Sequence, residues 1–133
     1  MKINTSLTPA TLDTACARLW QLSARKLAHL LRRCDLRNGA PVCTVRGTYT
    51  ARGWTEWTLG FYIGSFLLQY DAAGDTAMLR AARALLDTHL DAHLTHAGVH
   101  DHGFMHISTR GTLLRLLREG RAAGTAADQR LCE

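Results

Sequence analysis

The feature that most constrains this chain is the run WTLGFYIGSFLLQY at 57–70, apolar nearly all round. A helix built from it has no polar face to turn toward water, so it is expected to be buried on most sides. A chain of 133 residues has room for one core around such a helix, and a single domain over 1–133 is expected. Within the run Gly60 and Gly64 are one helical turn apart. That spacing leaves a smooth stripe where another backbone or a ligand approaches closely.

The flanking sequence supplies further helices. Thr8 and Pro9 read as an N-cap and first helical residue. Leu12, Ala15, Cys16, Leu19, Leu22 and Leu27 then recur at helical steps, until the breakers Asn38, Gly39 and Pro41. A loop follows through NGAPVCTVRGTYTARG, in which Val42 to Val45 form at most a brief extended pairing, because the glycines and the proline oppose a long strand. Gly74 ends the apolar helix and Asp75 caps the next, whose Met78, Leu79, Ala82, Leu86 and Leu90 keep helical period before fading near His93 or Leu94. Ser108 or Thr109 is expected to cap a fourth helix, with Leu113, Leu114, Leu116 and Leu117 as its apolar content and Gly120 as its stop. These signals predict an all-α fold of about four helices at 8–35, 56–73, 75–94 and 108–120.

The composition excludes several classes. Hydrophobic residues at 47% and charged residues at 20% belong to a folded chain and not to a disordered tail. The net charge is +5, but its arginines, from Arg18 through Arg32 and Arg33 to Arg110, Arg115 and Arg118, are scattered and no aromatic residues alternate with them. A solvated basic surface is therefore expected, with no nucleic-acid partner. Cys16, Cys34, Cys43 and Cys132 form no CxxC pair and read as reduced thiols. The first residues lack the apolar run of a secretory segment, and no later segment approaches membrane-spanning length. A cytoplasmic protein without a membrane partner or cofactor is the expectation.

The chemistry-bearing residues crowd into one region. His89, His93, His96, His100, His102 and His106 fall within eighteen residues. One reading is a metal site: His89 and His93 lie a helical turn apart, and His96 and His102 would complete a shell. The same spacing also suits an exposed helical face, and neither HExxH nor a cysteine pair anchors the set. A second reading centres on Asp101 in HDHGFMH. Gly103 would let the chain turn sharply or approach a ligand, while Phe104 turns inward to fix the loop. A carboxylate so held accepts hydrogen bonds from sugar hydroxyls or shares a proton with a second acid. A helix-capping or loop aspartate accounts for the same residues.

The order of the pieces adds a resemblance. WTLGFYIGSFLLQYDAAGD, followed after one helix by HDHGF and STRGTLLRLLREGR, resembles the N-terminal part of unsaturated glucuronyl hydrolases, glycoside hydrolase family 88, with the related family 105 behind it. The likeness covers roughly residues 45–121. It implies part of an (α/α)6 barrel, a ring of six helical hairpins whose loops on one face build the substrate site. It also implies that Trp57 is the tryptophan heading the W-T-x-G-F helix and stacks near the sugar. Asp101 matches the aspartate of a D-x-G-F loop, one of two active-site acids, and His100 the polar residue before it. His102 stands where an aliphatic residue is common.

The implied chemistry is hydration of a 4,5-unsaturated uronyl oligosaccharide. An acid protonates the C4=C5 double bond, water adds at C5, and the hemiketal opens to release the aglycone, without attack at the anomeric carbon. In the family the principal acid/base follows the segment matching LREGR, so this chain is expected to hold about two of six hairpins and to be an inactive N-terminal fragment. An acidic oligosaccharide is the implied partner, and self-association through open hairpin edges follows from an incomplete ring. The alternative is a small helical metal-binding or regulatory module using the histidine cluster.

Overall fold

The computed structural model describes residues 6–124 together with Ala126, Asp128 and Arg130. Cys132 lies outside the described residues. The fold is mostly helical, and its first helix, α1 (Pro9–Arg33), begins as the sequence predicts. The Thr8 side chain accepts from the Thr11 amide, and the Thr11 hydroxyl returns the favour at the Thr8 amide, so donors that a helix start strands are satisfied locally. Only Leu27 of α1 is buried. Leu12, Leu19 and Leu22 stay exposed along its first half.

A hairpin follows, where the all-α expectation is corrected. Strands β1 (Ala40–Val45) and β2 (Thr48–Arg52) pair antiparallel, with Val45 opposite Thr48 and Ala40 opposite Arg52. The two residues between them, Arg46 and Gly47, both have positive φ, at 51° and 78°. That is the mirror-image turn whose twist matches the strands it joins. Thr44, Val45, Thr48, Tyr49 and Thr50 are strand formers, and Pro41 is tolerated because the ladder is irregular between Pro41 and Thr44.

Helix α2 (Thr58–Ala73) is the axis of the core, with Ile63, Phe66 and Leu67 wholly inaccessible. Gly74 in a left-handed conformation ends it, and Asp75 starts α3 (Thr76–His89) by accepting from the Ala77 amide at 2.9 Å. The two helices pack together along their length. α3 stops at His89, earlier than predicted, and a 3-10 turn over Asp91–His93 replaces its expected last turn.

The last helical stretch corrects a second expectation. It begins at His102, not at Ser108, and runs as α4 (His102–His106), a π turn (Ile107–Gly111) and α5 (Thr112–Arg118). Met105, Thr109, Leu113 and Leu116 form its buried stripe, and the π turn takes up the residue that keeps them in line. Ser108 and Thr109 do not cap a helix. Their hydroxyls donate back to the carbonyls of Phe104 and Met105, inside a helix already under way.

The glycine stripe does what its spacing predicts. A Cβ on Gly60 would sit 2.4 Å from Met105 Cα, and one on Gly64 would sit 2.7 Å from the Ser108 carbonyl oxygen. The bare backbone of α2 therefore seats the α4 turn directly. Arg110, expected on the solvated surface, is instead 3% exposed. Its guanidinium bonds Asp91 from Nε at 3.0 Å and from Nη2, and reaches Asp87 at 3.3 Å, which ties the 3-10 turn and α3 to the π turn.

Candidate functional site

Trp57 and Asp101 each stand at the entrance of a helix, Trp57 preceding α2 and Asp101 preceding α4. The α2–α4 contact brings these helix starts to one end of the molecule. There the Trp57 ring meets Phe61 edge-on at 5.3 Å and Phe104 at 6.2 Å, while Phe61 and Phe104 are 5.9 Å apart. All three rings are exposed. Phe104 was expected to turn inward, and this is corrected. Met105, the next residue, takes the inward place because Gly60 leaves it room, so the helix turns Phe104 out to the aromatic edge.

Asp101 does not cap α4 with its side chain. Its carboxylate stands 3.2 Å from His100 Nε2 and is mostly buried, whereas the His100 ring is almost wholly in solvent. His100, Gly103, Phe104, Ile107, Ser108 and Phe61 line a shallow open groove of about 550 Å³. Asp101 and Trp57 flank this lining and do not belong to it. Gly103 is helical with no positive φ, and a Cβ there would meet only Ile107 Cδ1 at 4.0 Å, so neither a sharp turn nor a close approach requires it.

His93, His96, His102 and His106 form a chain of ring contacts that starts at Trp54. His93 lies flat on Trp54, with centroids 3.7 Å apart and planes 6° from parallel, and His96 meets the same indole edge-on at 4.8 Å. His96 faces His102 at 5.9 Å, and His102 lies 4.9 Å from His106. Burial lowers the pKa of His93, and His96 and His102 lower it further. Burial, followed by His102, also lowers that of His106. His89 joins His93 in the wall of a small cavity beneath Trp54. Among the described residues no three histidine, cysteine, aspartate or glutamate side chains are gathered where they could hold a metal ion. The structure identifies none of His89, His93, His96 and His102 as a metal ligand.

Two residues that organise this region carry no local signal in the sequence. Trp54 sits in the loop after β2, and only the fold places it under His93. Arg110 looks like its solvated neighbours until Asp87 of α3 and Asp91 of the 3-10 turn are brought to it. Cys16, Cys34 and Cys43 are unpaired, and burial raises the pKa of the Cys34 thiol. Among the described residues no helix is long and apolar enough to cross a membrane. Comparison with family models, with curated proteins and with solved structures found no match.

Proposed function

We propose that this chain presents the sugar-binding side of a site of the unsaturated uronyl hydrolase kind, glycoside hydrolase family 88 by resemblance. The observation that carries the reading is the exposed aromatic edge of Trp57, Phe61 and Phe104, one helical turn from the Asp101 carboxylate and its His100 partner. A pyranose ring has an apolar C–H face and a polar rim, which an indole beside a carboxylate suits. In this reading Trp57 stacks on the ring. Asp101 accepts from hydroxyls or shares a proton with the principal acid, and His100 orients it. A net charge of +5 favours a uronate over a neutral sugar. The three unpaired thiols suit a cytoplasmic setting.

The same reading extends to architecture. The exposed leucines of α1 and the aromatic edge are surfaces that an (α/α)6 ring would cover with further helices, and the isolated chain uses them to self-associate. Sedimentation checks this: a monomer at every concentration refutes it.

The functional test is binding. A 4,5-unsaturated uronyl disaccharide, titrated while amide and indole resonances are followed, is expected to shift Trp57 and residues 100–108. The corresponding neutral disaccharide binds more weakly. Trp57→Ala should weaken the uronate roughly tenfold, the equivalent of about 1.4 kcal/mol. No shift at Trp57, or equal affinity for the neutral sugar, would overturn the reading.

A further inference from the structure

The connection from α3 to α4, residues 90–101, holds one 3-10 turn and no other regular structure. Leu90 and Val99 pack it against the core, and two further contacts fasten it. One is the Asp91–Arg110 pair, and the other is the imidazole stack on Trp54. In that stack His93 and His96 come from the connection, His102 and His106 from α4, and the indole from the loop after β2. The nitrogens are poorly provided for. His102 Nε2 and both ring nitrogens of His106 are buried without a hydrogen-bond partner.

A neutral imidazole bears such a setting at moderate cost, whereas an imidazolium has two N–H donors and a charge that both demand partners. The charged groups around the stack offer little help. His106 faces His102 on its own helix, His93 from the connection and Arg110 from the π turn. Against these stands Asp91, already bound to Arg110. His93 faces His96 and His102. A proton arriving at His93 or His106 therefore meets other imidazoles, and at His106 also a guanidinium whose carboxylate is already engaged.

We propose that the Trp54–His93–His96–His102–His106 stack is a proton-operated latch, closed while its rings are neutral and opened by acid to free the 90–101 connection. The lowered values of His93 and His106 give the sign. The open form takes up protons more readily than the closed one. The latch is therefore fully closed above the ordinary histidine value of about 6.5 and weakens as pH falls below it. Opening displaces His100 and Asp101, which end the freed segment. The device stands on the ring packing and the buried, unpartnered imidazole nitrogens, and holds whether or not a sugar binds at Asp101.

Hydrogen exchange of the full chain at pH 7.5 and pH 5.0, corrected for intrinsic rates and run with and without chelator, tests it. Amides at 91–101 are expected to lose about tenfold protection in acid, while amides at 62–69 in α2 keep theirs. His102→Gln with His106→Gln should diminish the acid response, leaving only the part His93 carries. Equal protection of the connection at both pH values overturns the proposal. So do a matching loss in α2, an undiminished response in the double variant, or a response that depends on chelator, which would assign the stack to a metal. If the double variant does not fold, an imidazole proton titration of the wild type decides. His93 and His106 titrating below the ordinary value uphold the latch, and at or above it they refute it.

Discussion

Gly60→Ala offers the sharpest test of how α2 and α4 are joined. The added methyl would lie 2.4 Å from Met105 Cα and 2.7 Å from the Phe104 carbonyl oxygen, both backbone atoms that no rotamer change can remove. Ordinary contact begins at 3.4 Å, so the α4 backbone must retreat by about 1 Å. Alanine gains about 1 kcal/mol of helix propensity over glycine, while overpacking of this kind costs about 1–3 kcal/mol and more when backbone must move. Displacement wins, and a net loss of about 1–2 kcal/mol is expected. Gly103→Ala is the matched control. It is also helical but its Cβ would find only a side-chain methyl at 4.0 Å, so it should gain up to about 1 kcal/mol. Urea unfolding followed by circular dichroism reads both. A Gly60→Ala protein as stable as wild type, or two variants moving in the same direction, would refute the close-approach argument.

Asp75→Ala removes the acceptor for the Ala77 amide and should cost about 1 kcal/mol, read by the same unfolding assay. Arg110→Met strands Asp91, whose side chain is only 20% exposed, and should cost about 3 kcal/mol; adding Asp91→Leu should recover much of the loss in a double-mutant cycle. Burial pushes the Tyr62 phenol up to about 12, with a smaller push from Cys34, and its hydroxyl is buried without a hydrogen-bond partner. An unfolded tyrosine loses its proton near 10, so stability should fall as pH rises from about 10 toward 12. Tyr62→Phe should abolish that slope and leave neutral-pH stability unchanged or raised, as alkaline denaturation curves will report.

The parts of this fold legible in the sequence are those with a single local meaning. Small residues one turn apart in an apolar run signal close backbone approach, and Thr8 and Asp75 signal caps because a short polar side chain ahead of a helix has few other uses there. The hairpin was legible only as a brief pairing at Val42 to Val45, for the opposite reason. Its residues are largely exposed, so no buried face imprints an apolar alternation, and its turn places a non-glycine residue, Arg46, at positive φ, where the usual asparagine or glycine marker is missing. The start of α4 was hidden by one residue of helical phase. Placing Phe104 inward makes HDHGF a loop folded over its aromatic ring, whereas placing Met105 inward makes it the first turn of a helix. The burial of Arg110 depends on two carboxylates from α3 and the 3-10 turn, and periodicity along one segment carries no information about a partner on another.

The aromatic edge and the glycine contact are consequences of the same packing. Because Gly60 has no side chain, Met105 enters the core, and the residue before it on the helix is carried round to the surface beside Phe61, itself the neighbour of Gly60. Trp57, one turn back at the N-cap of α2, then closes the set. A larger residue at position 60 would hold α4 away and turn it, separating Phe104 from Phe61 and Trp57 and moving Asp101 with them. The geometry on which the sugar reading depends is thus set by a residue that is not itself part of the groove lining. The histidine stack bears on the same turn through His102 and His106. The position of Asp101 is accordingly fixed between a backbone contact that pH cannot alter and a ring contact that it can.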